Sequence, residues 1–252
     1  MENRNRFFDV IAKGHLYLQN VSIDNVVFGY HNKELKILLQ RPQNNNRWAL
    51  AGGYIKRTES IEDAARRIAS ERTGLNGLFL KQFKAFGSPS RSGNIDPSLE
   101  LAGKTKENWT LDYFVSIGFY TLTEFERVKP SGDFYIEECK WWDIHRLPAM
   151  VFDHQEIVEA ALKALRLHIY HYPIGYELLS EKFTIPEIHA LYETILGKSL
   201  DSRNFTKKLL ATGIIKKTSE RRNIGPHRSP YLYVFDTVNY KNALNEGMAL
   251  FI

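Results

Sequence analysis

The stretch GYIKRTESIEDAARRIASERTGL, residues 53–75, reads as a glycine turn leading into one capped amphipathic helix. Ser60 is placed to cap that helix, with Asp63 reciprocating three residues on, and Gly74 is placed to end it. Ile61, Ala64, Ala65 and Ile68 recur at helical spacing and predict the buried stripe. Positions 68, 71 and 72 are related by i, i+3 and i+4, so Ile68, Glu71 and Arg72 share a face, and Arg67 can pair with Glu71 at i, i+4. In the plainest reading Arg67, Glu71 and Arg72 are a solvated charged surface and Gly52-Gly53 only makes a turn.

Working outward, VSIDNVVFGY and LKILLQ, within residues 20–40, are β-rich runs separated by HNKE, whose His-Asn pair suits a hairpin turn. Strands are predicted at Leu78 to Phe86, Trp109 to Tyr120 and Cys139 to Asp143, with a Gly/Ser/Pro-rich excursion from Gly87 to Lys106. A second helix from His154 to Arg166 presents Ile157, Ala160, Ala161, Ala164 and Leu165 at helical spacing. Strands, helix, strands and closing helix give an α+β domain over residues 1–167, and a second domain over 168–252.

The second domain begins with HIYHYPIGYELLSEKF, where Pro173 and Gly175 interrupt the helical reading and mark a junction and candidate hinge. One short helix follows with Thr184 as cap, Pro186 in its first turn and Glu187 completing a capping box; Ile188, Leu191, Tyr192 and Ile195 form its core face before Gly197. Another starts at Asp201, runs to about Ala211 and stops at Gly213. Strands at Ile214 to Thr218 and Tyr231 to Phe235 flank the basic loop SERRNIGPHRSP. Helix, tight turn, helix and hairpin make a winged helix-turn-helix.

Charge supports that reading. The net charge is +5, yet between Lys198 and Arg228 nine basic residues meet two acids, a local +7 that leaves the remainder at −2. A basic patch confined to one end is the footprint of a polyanion-binding module. On its second helix Arg203 and Lys207 share a face with Asn204 and Lys208 beside it, while Phe205 and Leu209 point elsewhere. In a major groove Arg reads guanine, Asn reads adenine and Lys supplies phosphate charge. Arg221, Arg222, His227 and Arg228 on the wing would meet the flanking backbone or minor groove. The alternative is that these residues merely solvate a surface. With 43% hydrophobic and 25% charged residues the chain can bury real cores. No run approaches the roughly 18 apolar residues of a membrane span, and the opening MENRNRFFDV lacks a signal-peptide apolar region, so a soluble cytoplasmic protein is expected. Cys139 can form no internal disulfide and, near Trp141 and Trp142, reads as packed.

The opening stretch resembles the Nudix box, G-x5-E-x7-R-E-U-x-E-E-x-G-U, with the spacing kept throughout. Gly53, Glu59, Arg67, Glu71, Gly74 and Leu75 fall on the pattern, whereas Ile68 and Arg72 stand where two glutamates belong. The resemblance implies that in active members the shared face holds magnesium beside a pyrophosphate. Here one of three carboxylates survives, so no catalytic residue, metal or cofactor is expected. Joined to a winged helix, and with FDHQEIVEAALKALR and Leu200-Asp201-x-Arg203-Asn204-Phe205, the chain resembles the Nudix-related transcriptional regulators. That resemblance implies a Nudix-like mixed-sheet α/β/α sandwich followed by a winged helix-turn-helix. It further implies a homodimer that binds a palindromic double-stranded operator and leaves it when the Nudix domain binds a small molecule. The damaged box and the insertion NIDPSLELAGKTKE depart from the family's ADP-ribose sensors, and resemblance to its sugar-responsive, arabinose-utilisation members implies a repressor of sugar utilisation genes with L-arabinose as effector; the alternatives are an ADP-ribose sensor of NAD metabolism and an active pyrophosphohydrolase. The family cleft would use Arg41, Trp48 and Gly53 on one side with Asp112 and Tyr113 opposite, unless Trp48 is core and Arg41 surface.

Overall fold

The computed structural model describes residues 13–43, 45–94, 113–124, 127–128, 136–223 and 229–250. Asp112, His227 and Arg228 lie outside the described residues, as does most of the 94–107 insertion. The chain divides into two compact units, 1–29 with 36–162, and 30–35 with 163–252.

The first unit is built on a six-stranded mixed sheet. Its strands are β1 (Tyr17–His31), β2 (Glu34–Pro42), β3 (Ala51–Lys56), β4 (Lys81–Phe86), β5 (Val115–Glu124) and β6 (Ile136–Asp143). They run in the order β4-β5-β1-β2-β6, with β3 paired to the first half of β1. The eight residues Ile23 to Tyr30 of β1 are buried in succession, which is why this strand reads as an apolar run rather than an alternating one. The β1–β2 connection turns on Asn32 and Lys33, both at positive φ (48° and 65°), the two-residue hairpin geometry that matches strand twist.

Gly52 and Gly53 lie inside β3, opposite Asp24 and Ile23, and not in a turn as the sequence suggested. Close approach explains the pair: a Cβ on Gly52 would fall 2.6 Å from Asp24 Oδ1, and one on Gly53 would fall 3.0 Å from Ile68 Cγ1. The helix α1 (Ile61–Thr73) is capped as its sequence predicts: the Ser60 hydroxyl accepts from the Asp63 N–H, and Gly74 ends the helix at φ 72°. Its buried face is Ala64, Ala65, Ile68, Ala69 and Thr73. Ile61 is exposed, a correction to the predicted stripe: it lies on the same angular face but is the first residue of the helix, at the end of the buried stripe. Ile68, Ala64 and Ala65 pack with Ile23, Ile55 and Phe119 into one apolar cluster. The helix α2 (His154–His168) follows β6.

The second unit carries α3 (Ile185–Leu196), α4 (Ser202–Ala211), the hairpin β7 (Ile215–Arg221) and β8 (Tyr231–Phe235), and α5 (Thr237–Glu246). Phe205 of α4 is buried against the Tyr192 ring at 5.2 Å and His189 at 5.0 Å, both from α3. Phe183, Phe235, Tyr240 and Tyr176 form an aromatic cluster, and the Tyr240 hydroxyl donates to the Pro173 carbonyl at 3.0 Å. The sequence reading missed α5. Its pattern is weakly amphipathic, with Tyr240 and Ala243 its buried residues, yet Asp236 caps it by accepting from the Val238 and Asn239 N–H groups. No helix among the described residues is long and apolar enough to cross a membrane.

Candidate functional site

The box positions now take definite places. Arg67 is the fastener of the loop to the helix: Nη2 donates to Glu59 Oε1 at 2.6 Å and to the Tyr54 carbonyl at 2.8 Å, and Nε donates to Glu59 Oε2 at 2.9 Å. Its Nη1 reaches Glu71 at 3.4 Å. Glu59 also accepts from the Lys56 N–H at 2.8 Å. Burial pushes the Glu59 carboxyl up, but Arg67 and the Lys56 N–H together bring it below the ordinary carboxylate range. Burial likewise opposes the charge on Arg67, and its two glutamate partners more than offset that, so its pKa is raised.

Ile68 does not join Glu71 on an open face. Its side chain is 2% exposed in the α1–sheet core, while the Glu71 side chain is 52% exposed. A divalent cation of the kind this fold implies therefore does not fit these residues. Position 68 offers no donor and faces apolar neighbours, position 72 brings a guanidinium, and Glu59 is already spent on Arg67. Among the described residues no group of three or more His, Cys, Asp or Glu side chains is placed to hold a metal. Beside this face a cleft of about 280 Å³ is lined by Arg66, Arg67, Ser70, Glu71, Asn76 and Leu78, among others.

The candidate effector residues fall into two groups. Arg41 sits 6.0 Å over the Trp48 ring and pairs with Glu137 at 2.8 Å and Glu138 at 3.1 Å; the bond to Glu138 is the main cause of its raised pKa. Trp48 is buried edge-on against Trp142 at 5.1 Å. Gly53 precedes Tyr54, whose ring meets Phe114 at 5.6 Å, next to the exposed Tyr113. The Tyr113 hydroxyl donates to the Gly87 carbonyl, and its own carbonyl accepts from Asn20 Nδ2 at 2.7 Å.

A buried polar cluster behind the glycine pair was not anticipated. Arg91 Nη2 lies 3.0 Å from Asp153 and 3.7 Å from Asp24, His154 Nε2 lies 3.6 Å from Asp24, and Ser116 donates to Asp24. The Leu50 N–H donates to His154 Nδ1 at 3.0 Å, which fixes the tautomer with its proton on Nε2, towards Asp24. Burial holds the His154 pKa below its ordinary value, so the ring is neutral. The available signal was Asp24 itself, a charge inside the apolar run VSIDNVVF.

In the second unit α4 turns Phe205 and Leu209 inward and leaves Arg203, Asn204 and Lys207 exposed, with Lys208 half-buried. On the wing, Arg221 and Lys217 both stack on Tyr231. Arg222, expected to meet the flanking backbone or minor groove of DNA, makes contacts within the protein. Its guanidinium turns back to the Glu187 carboxylate and donates to the Lys182 carbonyl at 2.8 Å. Glu187 at the same time accepts from the Thr184 N–H at 2.7 Å and hydroxyl at 2.9 Å, so Arg222 ties the wing to the start of α3.

Residues 19–161 match the family model of the NUDIX domain. The chain belongs to the Nudix family. Residues 175–235, beyond the Nudix domain, match the NrtR DNA-binding winged helix domain. A Nudix-like mixed α/β domain followed by a winged helix is thus the architecture. The ADPR responsive transcriptional repressor NtrR of Acinetobacter baylyi is 23% identical over 227 residues, 87% of this chain and 83% of the relative. The ADP-ribose pyrophosphatase of Methanocaldococcus jannaschii is 28% identical over 153 residues, 59% of this chain and 77% of that protein. The crystal structure of Shewanella oneidensis NrtR complexed with a 27mer DNA is similar at a TM-score of 0.69 and 25% identity, covering 88% of this chain and 96% of that one.

Proposed function

We propose that this chain is a transcriptional repressor that binds double-stranded DNA as a homodimer on a palindromic operator, and that a nucleotide of the ADP-ribose class, held but not hydrolysed in the Nudix domain, releases it. The observation that carries this is the alignment to an ADP-ribose-responsive repressor through both domains, over 87% of the chain, together with a basic face on α4 opposite Phe205 and Leu209. The sugar effector favoured by the sequence reading finds no support among the relatives; its ADP-ribose alternative does. Arg203 and Asn204 are the base-reading candidates, with Lys207 and Lys208 on phosphates. Effector binding acts by favouring a state of the dimer that docks less well on the operator.

A duplex selected by the protein from a random pool supplies the operator for an anisotropy titration. ADP-ribose is expected to weaken binding by about 5- to 150-fold, the usual range of an allosteric coupling, and L-arabinose to leave it unchanged. Equal affinity with and without ADP-ribose overturns the effector reading. A second reading, pyrophosphate hydrolysis, is favoured by the retained Gly53, Glu59, Arg67, Glu71 and Gly74 and by the archaeal relative. It predicts magnesium-dependent cleavage of ADP-ribose that Glu71→Gln abolishes.

A further inference from the structure

We propose that Tyr231 is a positioning residue for DNA binding: its ring separates Lys217 and Arg221 and presents both cations, preset, to the phosphate backbone. The inference rests on the DNA-binding reading above. Lys217 Nζ lies 3.4 Å from the centroid of the Tyr231 ring and the Arg221 guanidinium carbon 3.8 Å from the same centroid. Two like charges that near one centroid repel least on opposite faces of the ring, which is where we place them. The strand register allows this, with Arg221 directly across from Tyr231 and Lys217 across from Tyr233, the next residue on the same face of the hairpin. Arg221 is held further by Nη1 donating to the Ser229 carbonyl at 3.1 Å and Nη2 donating to the Tyr231 hydroxyl.

Carboxylates on and beside this hairpin are paired with other cations. Glu220 pairs with Lys182 at 2.6 Å, Asp236 with Lys216 at 2.6 Å, and Glu187 with Arg222. Lys217 and Arg221 are left stacked on a ring, where the negative π faces offset part of their mutual repulsion. An anion approaching the ring edge relieves the rest, and the spacing of two cations across one ring suits successive phosphate oxygens of a strand. Because both side chains are already ordered, less rotamer freedom is lost on binding. Such contacts position the protein on any duplex and carry no base sequence.

The test is the salt dependence of binding to a random-sequence duplex, measured with the full chain. Removing two phosphate contacts lowers the slope of log K against log salt by roughly 1.8. Tyr231→Leu is expected to lose about that much, and Tyr231→Phe, which keeps the ring, to retain the wild-type slope. A cycle guards against misfolding of the leucine variant. In the Lys217→Gln/Arg221→Gln background, Tyr231→Phe and Tyr231→Leu are expected to bind alike with the same reduced slope. A Tyr231→Leu slope equal to wild type, with or without weaker binding, overturns the positioning role, as does a further slope loss in the double-Gln background. Absence of duplex binding by the wild-type chain overturns instead the DNA-binding reading on which the role rests.

Discussion

Ile68→Glu restores the residue that the Nudix pattern has at this position, and the structure sets what that should do. The isoleucine is 2% exposed among Ile23, Ile55, Ala64, Ala65 and Phe119. Losing its burial costs about 1.5–3 kcal/mol. The new carboxyl in that cluster stays protonated when folded. An unfolded glutamate ionises near pH 4.3, so at pH 7 the gap is about 2.7 pH units at about 1.36 kcal/mol each, roughly 3.7 kcal/mol. The sign follows from a folded pKa raised above the unfolded one: the second penalty is absent near pH 4 and grows as pH rises. Ile68→Glu should therefore be about 5–7 kcal/mol less stable than wild type at pH 7, most of the stability of an ordinary domain. Ile68→Gln should lose stability by an amount nearly independent of pH. Denaturant unfolding of the full chain, followed by tryptophan fluorescence, reports the right region, since Trp48, Trp141 and Trp142 belong to the first unit and the sequence of the second has no tryptophan. Differences are taken from wild type at each pH. If Ile68→Glu at pH 7 stays within about 1 kcal/mol of wild type, a surface-like effect, or if magnesium protects it, position 68 faces the cleft and the packing argument is wrong.

Three further outcomes follow from particular contacts. Folded His154 stays neutral below the ordinary imidazole value of 6.5 while the unfolded residue takes a proton there. The first unit should thus lose stability on acidification below that value by up to about 1.4 kcal/mol per pH unit, a slope that His154→Gln should abolish; the same slope in the variant would sink this assignment. Glu187→Ala removes both the bonds to Thr184 and the anchor of Arg222, so amide exchange should quicken together at Thr184 to Glu187 and at Glu220 to Arg222, and quickening at one segment alone would separate them. Arg203→Ala should cost about 1–3 kcal/mol on the selected operator and relax preference at one base pair, whereas Lys207→Ala should weaken all sequences alike; an Arg203→Ala loss equal on scrambled DNA would move base reading elsewhere.

Much of this was legible in the sequence where one residue type has one physical use. Ser60 and Gly74 bound α1, and Thr184, Glu187 and Gly197 bound α3, because caps and left-handed termini leave few choices. Phe205 and Leu209 against Arg203 and Lys207 fixed the two sides of α4. What stayed hidden depends on partners far along the chain. Gly52-Gly53 looks like a turn until Asp24 and Ile68 are seen pressing on it from residues 28 and 15 positions away, respectively. Arg222 looks like any wing cation until Glu187, 35 residues earlier, claims it. The Asp24, Arg91, Ser116, Asp153 and His154 cluster draws on four separate segments, and no local spacing announces it. The sharing of one face by positions 68, 71 and 72 was sound helix geometry, yet the sheet decides which part of that arc is dry.

The Arg222 contact has a consequence for how this protein would meet DNA. One carboxylate, Glu187, both closes the first turn of α3 and grips the hairpin. The hairpin and the first turn of the helix beside α4 thus share one anchor, and swinging the hairpin outward costs that ion pair. On the DNA-binding reading, that pair would bias the angle between the wing and α4 before a duplex arrives. A duplex that does not match that angle must break the pair or bend, and where it bends its stiffness enters the choice of site at base pairs no side chain touches.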